Sequence, residues 1–174
     1  LRLVHQPVVG LHEEVQGVLD TRVRLIDEQG EPVLPSDFIP AAERAHMMKN
    51  IDRWVVEHAF RWLVSEADER ERLALCSINL SGASLADNEF LPFVIRQFQR
   101  SGLDASKICF EITETAAIAS FAQASRFINA LKELGCKFAL DDFGTGLSSF
   151  GYLKHFPVDY LKIDGSFVKE MLHD

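Results

Sequence analysis

The second half of the chain alternates short apolar runs with amphipathic segments, and this pattern limits the fold more than any other feature. The predicted strands from Leu73 onward are LALCSINL (73–80), ICFEIT (108–113), CKFALDDF (136–143) and VDYLKID (158–164). The predicted helices between them are EFLPFVIRQFQRSG and SFAQASRFINALKELG, which stop at Gly102 and Gly135. Strands that alternate with helices indicate βα units and a mainly parallel sheet.

The first part of the chain predicts two strands and then two helices. Residues 3–9 are predicted to form one strand and residues 18–26 another, in which apolar and polar side chains nearly alternate, and GLHEEVQG between them is predicted to be a polar connection. Ser36 or Asp37 is predicted to cap a helix that runs to about His46, and Asn50 a second helix. A capping box is predicted further on, at Ser120 and Gln123.

Composition excludes several classes of protein. With 174 residues, 47% of them hydrophobic and 25% charged, the chain suits one globular domain. A net charge of −8 argues against DNA or RNA as a partner, so an anionic ligand needs a local reversal of charge. No apolar run reaches the roughly 18 residues of a membrane-spanning helix. The three cysteines are widely spaced, which is typical of reduced thiols in the cytoplasm.

Polar side chains recur at the carboxyl ends of the predicted parallel strands. In a βα barrel these ends meet on one rim, where active sites are found, although doubly wound sheets also bind ligands at strand ends. The fold class is therefore α/β, with both architectures open. The polar side chains concerned are Asn79, Glu111, Asp141 with Asp142, and Lys162 with Asp164.

These side chains suit metal-assisted cleavage of a phosphodiester. Asn79, Glu111 and Asp141 offer the oxygen ligands that Mg²⁺ or Mn²⁺ prefers, and Asp142 could hold a second ion. Lys162 could orient a water or a phosphate oxygen. Taken singly, a strand-end asparagine or lysine is more often a turn former or a solvated charge, and Glu114 could simply cap a helix.

Six ordered motifs resemble the EAL-domain family of bacterial cyclic di-GMP phosphodiesterases and receptors. The motifs are HQPVVGL (5–11), FIPAAE (38–43), INLS (78–81), EITE (111–114), DDFGTG (141–146) and LKID (161–164). The resemblance implies a modified TIM barrel with an antiparallel first strand. It implies metal ligands at Asn79, Glu111, Asp141 and Asp142, a water-activating Lys162, and a Glu114 that holds the loop after Asp142.

The chain departs from the family where Glu-Ala-Leu is expected, because Asp20-Thr21-Arg22 stands there. Asp20, the remaining metal ligand of the predicted set, is shorter than glutamate by one carbon, about 1.5 Å. Alternation along a strand places Asp20, Arg22 and Arg24 on one face. We hypothesise that Arg22 pairs with Asp20, takes the charge role of a metal and, with Arg24, attracts phosphate. Gln6 is also predicted to contact the ligand.

The family's last two barrel strands are expected after Asp174, so the barrel is predicted to be incomplete in this chain. The chain begins at Leu1 and is expected to come from a longer protein with GGDEF or sensory domains. A homodimer could supply the closing strands. Three functions follow: a catalytically degenerate cyclic di-GMP receptor or regulatory module, which leads; an active Mg²⁺- or Mn²⁺-dependent phosphodiesterase; and an interaction scaffold without nucleotide.

Overall fold

A seven-stranded sheet forms the frame of the protein. The computed structural model describes residues 1–10, 17–66, 71–144 and 152–170. The strands are β1 Arg2–Val8, β2 Val18–Ile26, β3 Pro32–Val33, β4 Leu75–Asn79, β5 Ile108–Thr113, β6 Lys137–Phe143 and β7 Tyr160–Ile163. Most of the predicted GLHEEVQG connection lies outside the described residues.

The order of the strands decides between the two predicted architectures. It runs β1-β2-β4-β5-β6-β7, with β3 paired to the far end of β2. From β2 onward these main strands are parallel to each other, whereas β1 is antiparallel to β2. A doubly wound sheet reverses its order at a switch point, and this sheet does not. The architecture is therefore barrel-like, and in the described residues β1 and β7 lie at opposite ends of the order.

Helices follow the strands and cover the outer face of the sheet. Their bounds are α1 Pro35–Arg44, α2 Met48–Ser65, α3 Gly82–Leu85, α4 Phe90–Ser101, α5 Glu114–Ala119, α6 Phe121–Glu133 and α7 Gly165–Glu170. Short 3₁₀ turns occupy Ala105–Lys107 and Tyr152–His155. Gly102 and Gly135 follow their helices with positive φ, as predicted.

Phenylalanine rings fill the space between the sheet and the helices. Phe110 and Phe138 on neighbouring strands lie 5.8 Å apart between ring centroids, and Phe127 of α6 packs edge-on against both. All three side chains are at most 3% exposed. Edge-on contacts of this kind add to the stabilisation from burial alone. The core therefore holds β4, β5 and β6 rigidly, which fixes the side chains at their carboxyl ends.

Three predicted helix caps are wrong. Helix α1 begins at Pro35, before Ser36 and Asp37, and its N-cap residue Leu34 makes no side-chain cap. Asn50 lies inside α2, and no side chain caps that helix either. Ser120 joins α5 to α6 and makes no side-chain cap, because its φ of −125° and ψ of 45° lie outside the extended region typical of an N-cap. The preceding helix α5 is capped by Thr113, which accepts from the Ala116 N–H at 3.3 Å.

Candidate ligand site at the strand ends

The predicted polar residues meet at the carboxyl end of the sheet. Pairing of β4 with β5 sets Asn79 beside Glu111, and pairing of β5 with β6 sets Asp141 beside Thr113. Asp20 lies one strand away on β2, level with Ser77 of β4. Because parallel strands end on the same rim, side chains far apart in sequence are brought within contact distance.

Arg22 holds the carboxylate of Asp20. Its Nε and Nη2 both reach Oδ2 of Asp20, at 2.9 and 2.8 Å. The other carboxylate oxygen of Asp20 accepts from the Asn79 amide at 3.1 Å. The Asp20 side chain is 5% exposed and that of Arg22 45% exposed. Arg22 therefore neutralises a buried charge and keeps part of its guanidinium open to ligand.

Lys162 bridges two carboxylates on the neighbouring strands. Its ammonium lies 2.5 Å from Oε2 of Glu111 and 3.0 Å from Oδ2 of Asp141. Burial raises the pKa of Glu111, and the hydrogen bond from Lys162 offsets this only in part. Burial lowers the Lys162 pKa, but Glu111 and Asp141 outweigh that effect and raise it. Lys162 is therefore held as a cation between two strands.

The loop after β6 is tied down by Glu114. This side chain is fully buried and accepts from the Gly144 N–H at 2.9 Å through Oε2. Gly144 has a φ of +100°, and a Cβ there would lie 2.7 Å from the Phe167 ring, so the turn requires glycine. Asp142, which directly follows Asp141, has a φ of +53° and is exposed. Its pKa is raised by partial burial and by the charges of Asp141 and Asp164.

Glu111, Asp141 and Asn79 suit a divalent cation better than Asp20 does. Glu111, Asp141 and Asn79 are ligands that Mg²⁺ accepts, and an ion there would replace the ammonium of Lys162. At Asp20 the fit fails in the observed arrangement, because a guanidinium and an amide engage both carboxylate oxygens. Among the described residues, no group of three or more histidine, cysteine, aspartate or glutamate side chains forms a metal site.

A cavity of about 940 Å³ opens beside these residues. From the predicted set it is lined by Asp20, Arg22, Arg24, Asn79, Asp141 and Lys162. Arg24 donates to its neighbour's carbonyl, the Val23 oxygen, at 2.9 Å. Gln6 pairs across the strands with Asp20 but is not among the residues lining the cavity. Three basic side chains of the predicted set thus lie among the carboxylates of the cavity, where they offset the negative charge that an anionic ligand would meet.

Asp52 of α2 also lines the cavity, and sequence reasoning missed it. Its Oδ2 accepts from the Ser81 N–H at 2.8 Å and from the hydroxyls of Ser81 and Ser84, both at 2.6 Å. Burial raises its pKa, and these hydrogen bonds offset part of that rise. Asp52 thus anchors the segment that directly follows Asn79. Its position on the apolar stripe of α2, next to Ile51, was the available signal.

The fold and the site together define a barrel-like α/β domain with carboxylates, an amide and basic side chains around a cavity at its strand ends. The family follows from comparison with known sequences: the chain belongs to the EAL domain family, whose model matches residues 1–174. The α/β fold with an antiparallel first strand, predicted from the resemblance, is confirmed.

Curated relatives share most of this chain. Cyclic di-GMP phosphodiesterase PdeB of Shewanella oneidensis is 40% identical over 98% of the chain, which covers 20% of the relative. Cyclic di-GMP phosphodiesterase PdeF of Escherichia coli is 34% identical over 98% of the chain, which covers 22% of the relative. The chain therefore spans about a fifth of the length of these relatives. Phosphodiesterases of this family generally depend on divalent metals.

Solved structures share the same fold. The FimX EAL domain from Pseudomonas aeruginosa bound to cyclic di-GMP is 33% identical, with a TM-score of 0.88 over 98% of this chain and 68% of that one. The PaMucR phosphodiesterase in complex with cyclic di-GMP is 30% identical, also with a TM-score of 0.88, over 99% of this chain and 70% of that one.

In the described ranges, every helix is too short or too polar to cross a bilayer.

Proposed function

We propose that this protein is a cyclic di-GMP signalling domain of the degenerate kind, which binds the dinucleotide as a receptor or regulatory module without hydrolysing it efficiently. One observation carries the proposal: both Nε and Nη2 of Arg22 engage the carboxylate of Asp20 at the mouth of the cavity. The Arg22 guanidinium thus neutralises the Asp20 carboxylate, as a metal ion would. Solved relatives bound to cyclic di-GMP support the choice of ligand.

The exposed part of Arg22 supports a role in phosphate binding. Only Nε and one Nη of the guanidinium engage Asp20, and a guanidinium has five N–H donors. The remaining donors match the oxygens of a phosphodiester, and Arg24 lines the same cavity. Gln6 stays a predicted ligand contact whose position beside Asp20 in the β1–β2 pair makes it available at the rim.

A second function has an observation of its own. Asn79, Glu111, Asp141 and Lys162 lie together at the strand ends, Glu114 bonds to the loop after β6, and PdeB and PdeF are named phosphodiesterases, which supports hydrolysis. In an active enzyme, Mg²⁺ or Mn²⁺ at Asp20, Asn79, Glu111, Asp141 and Asp142 would stabilise charge on the scissile phosphate. Lys162 would then orient the attacking water, and Glu114 would hold the loop after β6.

Two assays separate these functions. We expect calorimetric titration with cyclic di-GMP to give binding in EDTA as well as in Mg²⁺, and chromatography to detect no linear dinucleotide in either buffer. Product in Mg²⁺ or Mn²⁺ buffer would instead establish the enzyme. Neither binding nor product would contradict both functions and leave an interaction scaffold.

The proposal also covers the cellular location of the domain, its parent protein and its oligomeric state. The three cysteines are free and buried, which supports the reducing cytoplasm as its location. The much greater length of PdeB and PdeF supports a parent protein with additional domains of GGDEF or sensory type. A homodimer is proposed on the resemblance alone. Sedimentation of the protein with and without cyclic di-GMP tests the dimer.

A further inference from the structure

His46 has a left-handed backbone conformation, which few residues other than glycine adopt. Its φ is +55°, and among the described residues Asp142 is the only other non-glycine residue with positive φ. His46 ends α1 in a Schellman motif: the Met47 N–H donates to Ala42 O at 2.8 Å and the His46 N–H to Glu43 O at 3.0 Å. Glycine is favoured at this position because it has no Cβ to strain the left-handed region.

The strain at His46 is not offset by contacts of its side chain. In the part of the chain that the structure describes, the imidazole forms no hydrogen bond, ion pair or ring contact, and it is exposed. The Schellman motif would form equally well with glycine at position 46. An observed backbone outlier of this kind is grounds for seeking a function.

His46 continues the face of α1 that lines the ligand cavity. Pro35, Ile39 and Glu43 are spaced by four residues, so they share one side of the helix, and His46 follows three residues later. All four line the cavity, as do Met48 and Lys49 at the start of α2. An unpartnered imidazole is thus placed on the wall of the site.

The chemistry of this wall favours a heterocyclic base over a phosphate. Pro35, Ile39 and Met48 are apolar, and the opposite charges of Glu43 and Lys49 leave this wall without a net positive charge for a phosphate. The basic side chains from the strands, Arg22, Arg24 and Lys162, lie at the rim of the same cavity and suit the phosphates. An imidazole offers a flat face for stacking and ring nitrogens for hydrogen bonds.

We infer that His46 is a specificity-determining residue that contacts a purine base of the bound dinucleotide. This inference rests on the proposed function, since it takes cyclic di-GMP as the ligand. The left-handed conformation is retained because it sets the ring on the cavity wall. His46 therefore increases ligand affinity and lowers the stability of the end of α1.

The test compares the protein with two variants, His46→Gly and His46→Asn, by calorimetric titration with cyclic di-GMP and by thermal unfolding. Both variants should weaken binding about tenfold, the scale of a lost base-stacking contact. His46→Gly should also raise the unfolding midpoint by about 2 °C, since it relieves the strain. His46→Asn, which tolerates positive φ but lacks the ring, should leave the midpoint near that of the unaltered protein.

The outcomes separate this inference from the proposed function. If the unaltered protein binds and both variants bind as tightly, the inference is overturned and the proposed function stands. If His46→Gly lowers the unfolding midpoint by several degrees, His46 has a structural role and the inference is also overturned. If the unaltered protein releases no heat with cyclic di-GMP, both fail together.

Discussion

At the scale of single residues, the Arg22 guanidinium determines how the Asp20 carboxylate can be used. A carboxylate only 5% exposed is costly to leave without a cation, and Arg22 supplies one through two charge-assisted hydrogen bonds. A divalent ion at Asp20 would have to displace a cation already held by the chain.

Restoring the family triplet should reverse this arrangement. The variant Asp20→Glu, Thr21→Ala, Arg22→Leu removes the guanidinium and returns a longer carboxylate, so Mg²⁺ affinity should rise at least tenfold. Calorimetric titration with Mg²⁺ alone measures this, and chromatography for the linear dinucleotide shows whether hydrolysis follows. Thr21→Ala alone is the control and should change neither. A triplet variant with unchanged Mg²⁺ affinity and no product would count against the role of Arg22.

The sequence predicted some residue contacts and missed others for physical reasons. Alternation along β2 is a local rule, and it correctly placed Arg22 beside Asp20. The three hydrogen bonds of Asp52 to the segment after β4 join residues about thirty positions apart. No local periodicity encodes such a pairing. The φ of His46 likewise depends on where α1 ends, and capping residues did not reveal it.

At the scale of elements, Gly17 joins the start of β2 to the start of β4. Its carbonyl accepts from the N–H groups of Ala74 and Leu75 at 2.9 and 3.2 Å. Its φ is +77°, and a Cβ would lie 2.3 Å from the Arg72 carbonyl oxygen. Because the obstacle is backbone, it cannot rotate away. The close approach of the two chain segments at this junction therefore requires glycine.

Gly17→Ala should be much more destabilising than the same change at Gly102. Both residues have positive φ, but a Cβ at Gly102 meets nothing within 4 Å. Gly102→Ala should therefore cost about 1 kcal/mol for the backbone conformation alone. Gly17→Ala adds a steric clash and should cost about 2 kcal/mol more. Urea denaturation of the two variants measures the difference, and equal losses would refute the close junction.

Asp52 links α2 to the loop after β4, and its ionisation should make the fold pH-dependent. Burial raises its folded pKa above the ordinary value of 3.8, so the folded protein binds the proton more tightly than the unfolded chain. The stability from this group is fully present below 3.8 and is lost as pH rises through the folded pKa. Asp52→Asn has no charge to bury and should escape that loss.

Urea titration at a series of pH values from about 4 to about 7 measures the unfolding free energy of the protein and of Asp52→Asn. The protein should lose stability relative to the variant as pH rises. Asp104→Asn is a control of opposite sign, because the exposed Asp104 carboxylate accepts from Ser106, which lowers its pKa, so any change between these pH values should favour the protein over that variant. A protein that gains stability over Asp52→Asn with rising pH would contradict the buried-charge account.

At the scale of the whole molecule, the topology gathers one cavity from elements spread along the chain. The strands β2, β4, β6 and β7 supply basic, acidic and amide side chains, and the helices α1, α2, α3 and α5 supply other parts of the wall. The sequence predicted the parallel βα order because apolar strands and amphipathic helices have different periods. It left the barrel and the doubly wound sheet open, since strand order depends on contacts between elements rather than on any one element. The cavity volume depends on the same packing.

The measurement that tests the central claim most directly is cyclic di-GMP binding in EDTA by the protein, by Arg22→Leu and by Arg61→Leu. Arg61 pairs with Glu57 on the exposed side of α2, so its loss changes net charge equally without touching the cavity. We predict metal-free binding by the protein and by Arg61→Leu, and binding at least tenfold weaker, about 1.4 kcal/mol, for Arg22→Leu. Equal affinity of all three proteins, or binding that appears only when Mg²⁺ is added, would contradict a guanidinium in the place of a metal ion.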